Sequence, residues 1–507
     1  MSGAVSPRAR PGWWGVAAIV VLAAVPVAAM VVPTSMGSVP INGDNPVLGY
    51  PLRVLSGRLL AEGHLPLWDP YLWSGVPLLA GFNAGALFPA TALFAVLPPV
   101  SAWVVTVILV YDVTAIGFYV FLRAAGRSVA AAFLGSLSFS FAGFMTSQFG
   151  HIDLVEAVAL APWLLLALHR LARPRSPRDR GWGWTLLLGA CFALVILAGE
   201  PEAMLDLGVL AGVYALAMAW HQPGRGIRVL LLAALGVAGG VAVGAVQWLP
   251  GLALASHSQR AVTSYAYFGS GSLPPRLSAL LVLPYLLGGY GRLGQIGYSG
   301  PYNLAELNGY VGILPVVAAF ALFGRRARRP VDRGSWIWYL VIAVGLVLAM
   351  GSFTPLGHWL YQIPFYGQQR TQSRNLMDVD VGLAALLALW VDRLMDRRRA
   401  PAGAEGAGPA GLVGAAPAGA EDAGPAGLVS AAPAGAEDAG PAWLAAPGGR
   451  PAQIGRALAR PLRLIARPLR LIARPLAVLV RPLAGAGRLA ARALAGAGRL
   501  AARALAG

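Results

Sequence analysis

The ionisable side chains of this sequence are few, and most of those outside arginine-rich segments fall into a handful of clusters. The densest cluster holds Asp44, Arg53, Arg58, Glu62, His64 and Asp69. A second reads Ser147-Gln148-Phe149-Gly150-His151-Ile152-Asp153, with Glu156 following. Further on come Gly199-Glu200-Pro201-Glu202, then Gln247-Trp248-Leu249-Pro250 with Ser256 to Arg260, then Glu306, and finally Arg370 and Arg374 ahead of Asp378 and Asp380. A carboxylate such as Asp44 can take the proton from an acceptor hydroxyl or hold a divalent cation. An arginine such as Arg370 or Arg374 can stabilise the charge on a departing phosphate. Each residue also has a plainer reading. Asp44 can cap a turn with Asn45-Pro46, and Asp69 before Pro70 can begin a turn or helix. His64 and His151 can be hydrogen-bonded loop residues. Asp378 or Asp380 can pair with an arginine to hold helices together.

The elements between these clusters are apolar. Hydrophobic residues make up 57% of the chain and charged residues only 12%, about half the share usual in a soluble domain. Several apolar runs approach the roughly 20 residues that a helix needs to cross a bilayer. We therefore expect an all-α polytopic membrane protein with about ten transmembrane helices and long extracytoplasmic loops. The expected spans are 13–32, 102–122, 129–147, 154–168, 182–198, 204–220, 229–249, 309–323, 336–351 and 375–391. The first run follows Arg8 and Arg10, which raises a signal peptide; it is long and lacks a small-residue cleavage site, so it is read as a retained span. Apolar runs at 84–99 and 277–288 contain Pro89, Pro98, Pro99 and Pro284, and are read as segments that do not cross.

All 39 basic residues are arginine. Most lie in alternate short segments, around Arg123, Arg170–Arg180, Arg225, Arg325–Arg333 and Arg393–Arg399. This is the positive-inside pattern, so a nucleic-acid partner is not expected despite the +18 net charge. It places the N-terminus in the cytoplasm and all the carboxylate clusters named above, except those inside spans, on the outer side. The first outer loop covers about 34–101. Residues 1–399 form the expected transmembrane domain.

Residues 400–507 differ in kind. A Pro-Ala-Gly-Ala unit starts at Pro401, Pro417 and Pro433, an Arg-Pro-Leu-Arg-Leu-Ile-Ala motif repeats from Arg460, and another unit starts at Ala484 and Ala495. Such low complexity predicts a disordered tail. Its Arg/Leu part is able to lie on an anionic leaflet, or the whole is a repeat expansion without function. The single cysteine, Cys191, excludes an intramolecular disulfide. There is no zinc-type spacing, P-loop, dinucleotide fingerprint or Gly-x-Ser-x-Gly.

Four patches carry a family likeness. They are Gly63-His64-Leu65-Pro66-Leu67-Trp68-Asp69-Pro70 through Gly75-Val76-Pro77 to Phe88-Pro89; Gln247-Trp248-Leu249-Pro250 with Ser258-Gln259-Arg260 and Ser272-Leu273-Pro274-Pro275; Glu306 with Tyr310-Val311-Gly312-Ile313-Leu314-Pro315; and Gly351-Ser352-Phe353-Thr354-Pro355-Leu356 through Ile363-Pro364-Phe365 to Arg370–Arg374. In order and spacing over about 40–395 the chain resembles the YfhO family of bacterial multi-pass membrane proteins, related to the GT-C glycosyltransferases. The resemblance implies a GT-C-like fold in the bacterial plasma membrane. It implies transfer of a sugar from a polyprenyl-phosphate carrier to a cell-envelope acceptor outside the cytoplasm. The acidic position of GT-C first outer loops maps onto Asp44, as the catalytic carboxylate. Family members usually carry further spans where this chain has its repeat tail, and the second acid of the GT-C pair is here Asn45. The expected substrate-binding residues are Arg370, Arg374, His151, Asp153, Glu202, Arg260 and Glu306, with Arg370 or Arg374 on the donor phosphate. No cofactor other than a divalent cation is considered, and its ligands are open. Competing readings are a transporter or flippase of lipid-linked glycans and a non-catalytic membrane assembly protein. A transporter would show inverted repeats, and none is evident between the two halves.

Overall fold

A computed structural model describes residues 12–176, 178–222, 224–290, 296–323 and 334–399. The chain divides into two units, Met1–Ala410 and Gly411–Gly507. The repeat tail, Arg8, Arg10 and the Arg325–Arg333 segment lie outside the described residues. The described part is mainly helical; its one sheet is a pair of two-residue strands.

Seven stretches are helical, long and apolar enough to cross a membrane. The first is α1 (Trp13–Ser35). After α2 (Tyr50–Ala61), in the following loop, comes α3 (Pro99–Ala124). The third, Val129–Gly150, begins with α4 (Val129–Ser140), and the fourth, Ile152–Ala172, comprises α5 (Ile152–Val158) and α6 (Ala161–Ala172). After α7 (Trp182–Leu197) come α8 (Pro201–Trp220) and α9 (Gly226–Ser256). After α10 (Ile313–Leu322), α11 (Ser335–Met350) opens the seventh, and α12 (Leu376–Arg399) ends the described chain. The other three expected spans fall on α7 and α10, which are apolar but short, and on α12, whose Asp378, Asp380 and Asp392 lower its hydropathy. The two proline-bearing runs form nothing long enough to cross. Residues 84–99 supply a four-residue 3-10 turn and a four-residue helix, and 277–288 lie in a 3-10 segment and turns.

Helix surfaces differ sharply in what they touch. α5, α6 and the first half of α12 are almost wholly enclosed by other helices, whereas α1 and α9 leave most of their apolar surface uncovered. An uncovered apolar helix face is what a bilayer solvates, so both helices fit lipid-facing positions. Phe118 of α3 packs against Phe139 of α4 with ring centroids 5.0 Å apart, while Phe121 faces His169, Tyr214 and Trp338. α9 lies along α7 at close range. A Cβ on Gly240 would stand 2.6 Å from the Gly189 carbonyl oxygen, and one on Gly236 2.8 Å from that of Thr185. Small residues at this spacing let two backbones approach where lipid offers no hydrophobic drive.

The loop between α1 and α3 is an ordered structure. β1 (Trp68–Asp69) pairs antiparallel with β2 (Val76–Pro77), Trp68 opposite Pro77. Asp69 starts a turn: its Oδ1 accepts from the Tyr71 amide at 2.8 Å.

Candidate functional site

Arg374 is the hub of the buried polar side chains at one end of the bundle. A short 3-10 turn, Gln372–Asn375, delivers it immediately before α12. Its Nε and Nη2 donate to the two carboxylate oxygens of Glu306 at 3.2 and 3.1 Å. Its Nη1 donates to Glu202 Oε2 at 3.0 Å and stands 3.4 Å from Glu200 Oε1. Each acid has a local reason for its place. Glu306 lies on the short helix Leu304–Leu307, where Asn303 Oδ1 accepts from the Ala305 amide. Glu200 caps α8 and Glu202 sits in its first turn, the helix end that favours negative charge.

The guanidinium sets the electrostatics of the cluster. Burial alone would raise the Glu306 pKa, but the adjoining Arg374 charge outweighs it and holds this carboxyl below its usual range. Glu200 goes the other way. Burial pushes it up to about 8, opposed by Arg374 and aided by Asp153 and Glu202. Arg374 itself is desolvated, yet three acids hold it firmly charged. Arg374 therefore spends its fork on Glu306 and its remaining reach on Glu202 and Glu200. It is not the free guanidinium expected to meet a phosphate.

A chain of polar contacts runs from this hub to Asp44. Gln148 Nε2 donates to Glu306 Oε2 at 2.6 Å, and Gln148 Oε1 lies 2.9 Å from His151 Nδ1. A carboxylate only accepts, so the Gln148 amide nitrogen must face Glu306 and its oxygen must face the ring. His151 Nδ1 then carries a proton. His151 Nε2 stands 3.4 Å from Asp44 Oδ2. The Asp44 backbone is clamped: its amide donates to the Gly150 carbonyl, and neighbouring Asn45 bridges Phe149 O and the Ile152 amide. The Asp44 side chain makes no capping hydrogen bond to the turn that follows, and it is 62% exposed. Asn45 is thus a buried structural clamp.

Two further contacts join the same elements. Arg53 on α2 forms a doubly hydrogen-bonded, fully buried pair with Glu156 on α5, and its Nη1 also donates to Thr91 Oγ1 at 3.0 Å. Asn83 Nδ2 donates to Asp153 Oδ2 at 2.8 Å, while the Asn83 amide donates to Gly199 O. Phe82 and Asn83 both have positive φ, a strained turn held by these bonds.

Beside the hub lies a cavity of about 500 Å³. Phe82, Ile196, Leu205, Val241 and Trp248 supply apolar wall, and Glu200, Glu202, Asn83, Arg260 and Gln369 supply polar atoms. Of the expected site residues, Glu202 and Arg260 are on this wall; Asp44, His151, Asp153, Glu306, Arg370 and Arg374 are not. Arg370 immediately follows the wall residue Gln369. Arg260 and Arg370 are exposed and form no ion pair among the described residues.

Glu200, Gln148, Arg53 and Glu156 complete the site although sequence reasoning assigned them no role in it. The signal for Glu200 was its place one residue before α8, next to Glu202. Nothing in spacing marks Arg53 and Glu156, about a hundred positions apart, as partners. Among the described residues neither Asp378 nor Asp380 pairs with an arginine; Asp380 accepts from the Phe144 amide. Among the described residues no group of three or more His, Cys, Asp or Glu side chains is arranged to hold a metal ion, so Asp44 and His151 lack a third such ligand. Comparison with protein-family models, curated proteins and solved structures yields no match.

Proposed function

We propose that this chain is a membrane glycosyltransferase of the GT-C type. It takes a sugar from a polyprenyl-phosphate carrier and passes it to a cell-envelope acceptor outside the bacterial plasma membrane. In this reading ten helices cross, the N-terminus is cytoplasmic, and the Asp44, Glu202 and Glu306 end faces out. One observation carries the proposal: a cavity with apolar walls, next to the uncovered helix α9, that has an unpaired arginine, Arg260, and two acids on its lining. Apolar wall suits an isoprenoid chain, and Arg260 suits the phosphate. Arg374 acts one step back, fixing Glu202 and Glu306.

The chemistry is a single displacement. The acceptor oxygen bonds to the anomeric carbon as the bond from that carbon to the phosphate oxygen breaks. The acceptor proton goes to Asp44, which lies off the cavity wall and meets the acceptor from the exposed loop, and the electron pair leaves on the phosphate. Asp44 suits the role because its backbone is fixed, its carboxylate is open, and His151 touches only one of its oxygens.

The test is transfer of label from a polyprenyl-phosphate sugar by the protein in vesicles. Asp44→Asn is expected to abolish transfer with an unchanged unfolding midpoint, and Arg260→Lys to raise the donor KM more than it lowers kcat. Wild-type rates in Asp44→Asn would refute the assignment. Movement of a glycan lipid across the bilayer by a wild-type chain that transfers nothing would favour the transporter.

A further inference from the structure

A second cavity lies far along the helices from the polar hub, where α6 ends and α7 and α9 begin. Its volume is about 50 Å³. That is roughly four times the room one water needs, enough for a group of a few heavy atoms. Leu171, Val229 and Leu232 give it apolar surface, and the exposed Arg180, Arg225 and Arg228 stand on its wall. Gly181 keeps the chain close against that apolar surface. Its φ is +83°, and a Cβ there would stand 3.0 Å from Leu171 Cδ2 and 3.2 Å from Leu232 Cδ1.

The wall holds three guanidinium groups and one carboxylate, and the carboxylate is already engaged. Asp179 Oδ1 accepts from the Gly181 amide at 2.9 Å, and its Oδ2 accepts from the Trp184 indole at 3.2 Å. Arg175 lies over the Trp184 ring, 5.5 Å from its centroid, so the segment ahead of α7 is tied in place. Arg228 Nη2 donates to Arg180 O at 2.9 Å, which holds this guanidinium beside the cavity. None of Arg180, Arg225 and Arg228 forms an ion pair among the described residues. Like charges gathered around one cavity repel, and an anion between them relieves that repulsion.

A separate observation says what carries the anion. Ile227, Leu231 and Leu235 on α9 are exposed and four residues apart, so they form one stripe that begins beside the cavity. Leu186 on α7 is exposed as well. A free anion makes no use of this surface, whereas a lipid covers it with its chains. Guanidinium forks match phosphate oxygens, and basic pockets between membrane helices suit acidic headgroups. A zwitterionic headgroup would bring its own cation to the arginines; an anionic one does not.

We propose that this cavity binds the phosphate headgroup of an anionic phospholipid, with Arg180, Arg225 and Arg228 on the phosphate and the acyl chains along α9. The bound lipid ties the segment between α6 and α7 to the start of α9. The site is independent of the glycosyltransferase reading, and its test needs no turnover.

The full chain in detergent is titrated with dioleoylphosphatidylglycerol in mixed micelles at fixed ionic strength, and the thermal unfolding midpoint is followed. Dioleoylphosphatidylcholine is the zwitterionic control, and sodium phosphate is the free-anion arm. A saturable rise is expected with phosphatidylglycerol and with neither of the others. Each of Arg180→Gln, Arg225→Gln and Arg228→Gln is expected to raise the half-saturating lipid fraction about fivefold. All three side chains are exposed, so the lipid-free midpoints are expected to stay near wild type. Arg178→Gln separates the cavity from diffuse surface charge, because Arg178 is exposed on the same segment but is not on the cavity wall. It is expected to keep the wild-type half-saturation. A shift in Arg178→Gln as large as that in Arg228→Gln would overturn the proposal, as would equal responses to the two lipids. A saturable rise with sodium phosphate equal to that with phosphatidylglycerol would overturn it in favour of a site for free phosphate.

Discussion

Replacing Arg374 separates a structural clamp from a phosphate-binding residue, because the two roles predict opposite pairs of outcomes. In the structure Arg374 is 7% exposed and serves three acids through the contacts with Glu306, Glu202 and Glu200. Arg374→Gln removes the charge and the fork while keeping a polar side chain. Glu306 and Glu202 then remain buried without a counter-ion, and breaking a buried pair in this way costs about 3–5 kcal/mol. Arg374→Lys keeps the charge but cannot donate to both oxygens of Glu306 while reaching Glu202. It loses one or two charge-assisted hydrogen bonds, each worth about 1.5–3 kcal/mol. The expected order of stability is wild type, then Lys, then Gln. The assay is unfolding of detergent-solubilised protein, followed by tryptophan fluorescence, with Glu306→Gln added to each variant. Neutralising Glu306 removes one stranded charge, so Arg374→Gln with Glu306→Gln is expected to lose less than the two single losses combined. A wild-type midpoint in Arg374→Gln, together with lost donor binding, would refute the clamp and return Arg374 to the phosphate.

Glu200 gives a pH dependence of defined sign. Its carboxyl titrates near 4.5 in an ordinary setting and near 8 in the fold, so between these values the folded state holds the extra proton. Stability is therefore expected to fall as pH rises from about 5 to 8, and Glu200→Gln to flatten that slope in midpoints measured across the range. Orientation is tested in a Cys191→Ala background: a cysteine at the exposed Trp73 is expected to react with an impermeant maleimide from outside intact cells, and one at Arg178 is not. Labelling at 178 and not at 73 would invert the topology.

The helical framework was legible because its signal is local. Each apolar run reports its own burial, and ten expected spans all fall on helices, seven of them long and apolar enough to cross. The non-crossing of 84–99 was legible from prolines that interrupt it. Pairing was not. Glu202, Glu306 and Arg374 were each singled out, yet nothing in their positions says that one guanidinium serves both acids. The expectation that Asp378 or Asp380 would take an arginine followed from closeness in sequence. It failed because a residue just ahead of a helix and those in its first turns point to different neighbours.

The same geometry explains why Asn45 stands where a second acid was sought. Its amide must donate to Phe149 O and accept from the Ile152 amide at once, and a carboxylate can do only the second. Asp at this position would set a buried, ionised oxygen against a carbonyl and loosen the turn that carries Asp44. The loop thus holds one exposed carboxylate by giving up a neighbour's charge. Through His151 and Gln148 that carboxylate is linked to Glu306 and so to Arg374, the residue that orders the acids of the cavity wall. The position of Asp44 is set by its own backbone amide and by Asn45, and that of Glu202 by Arg374.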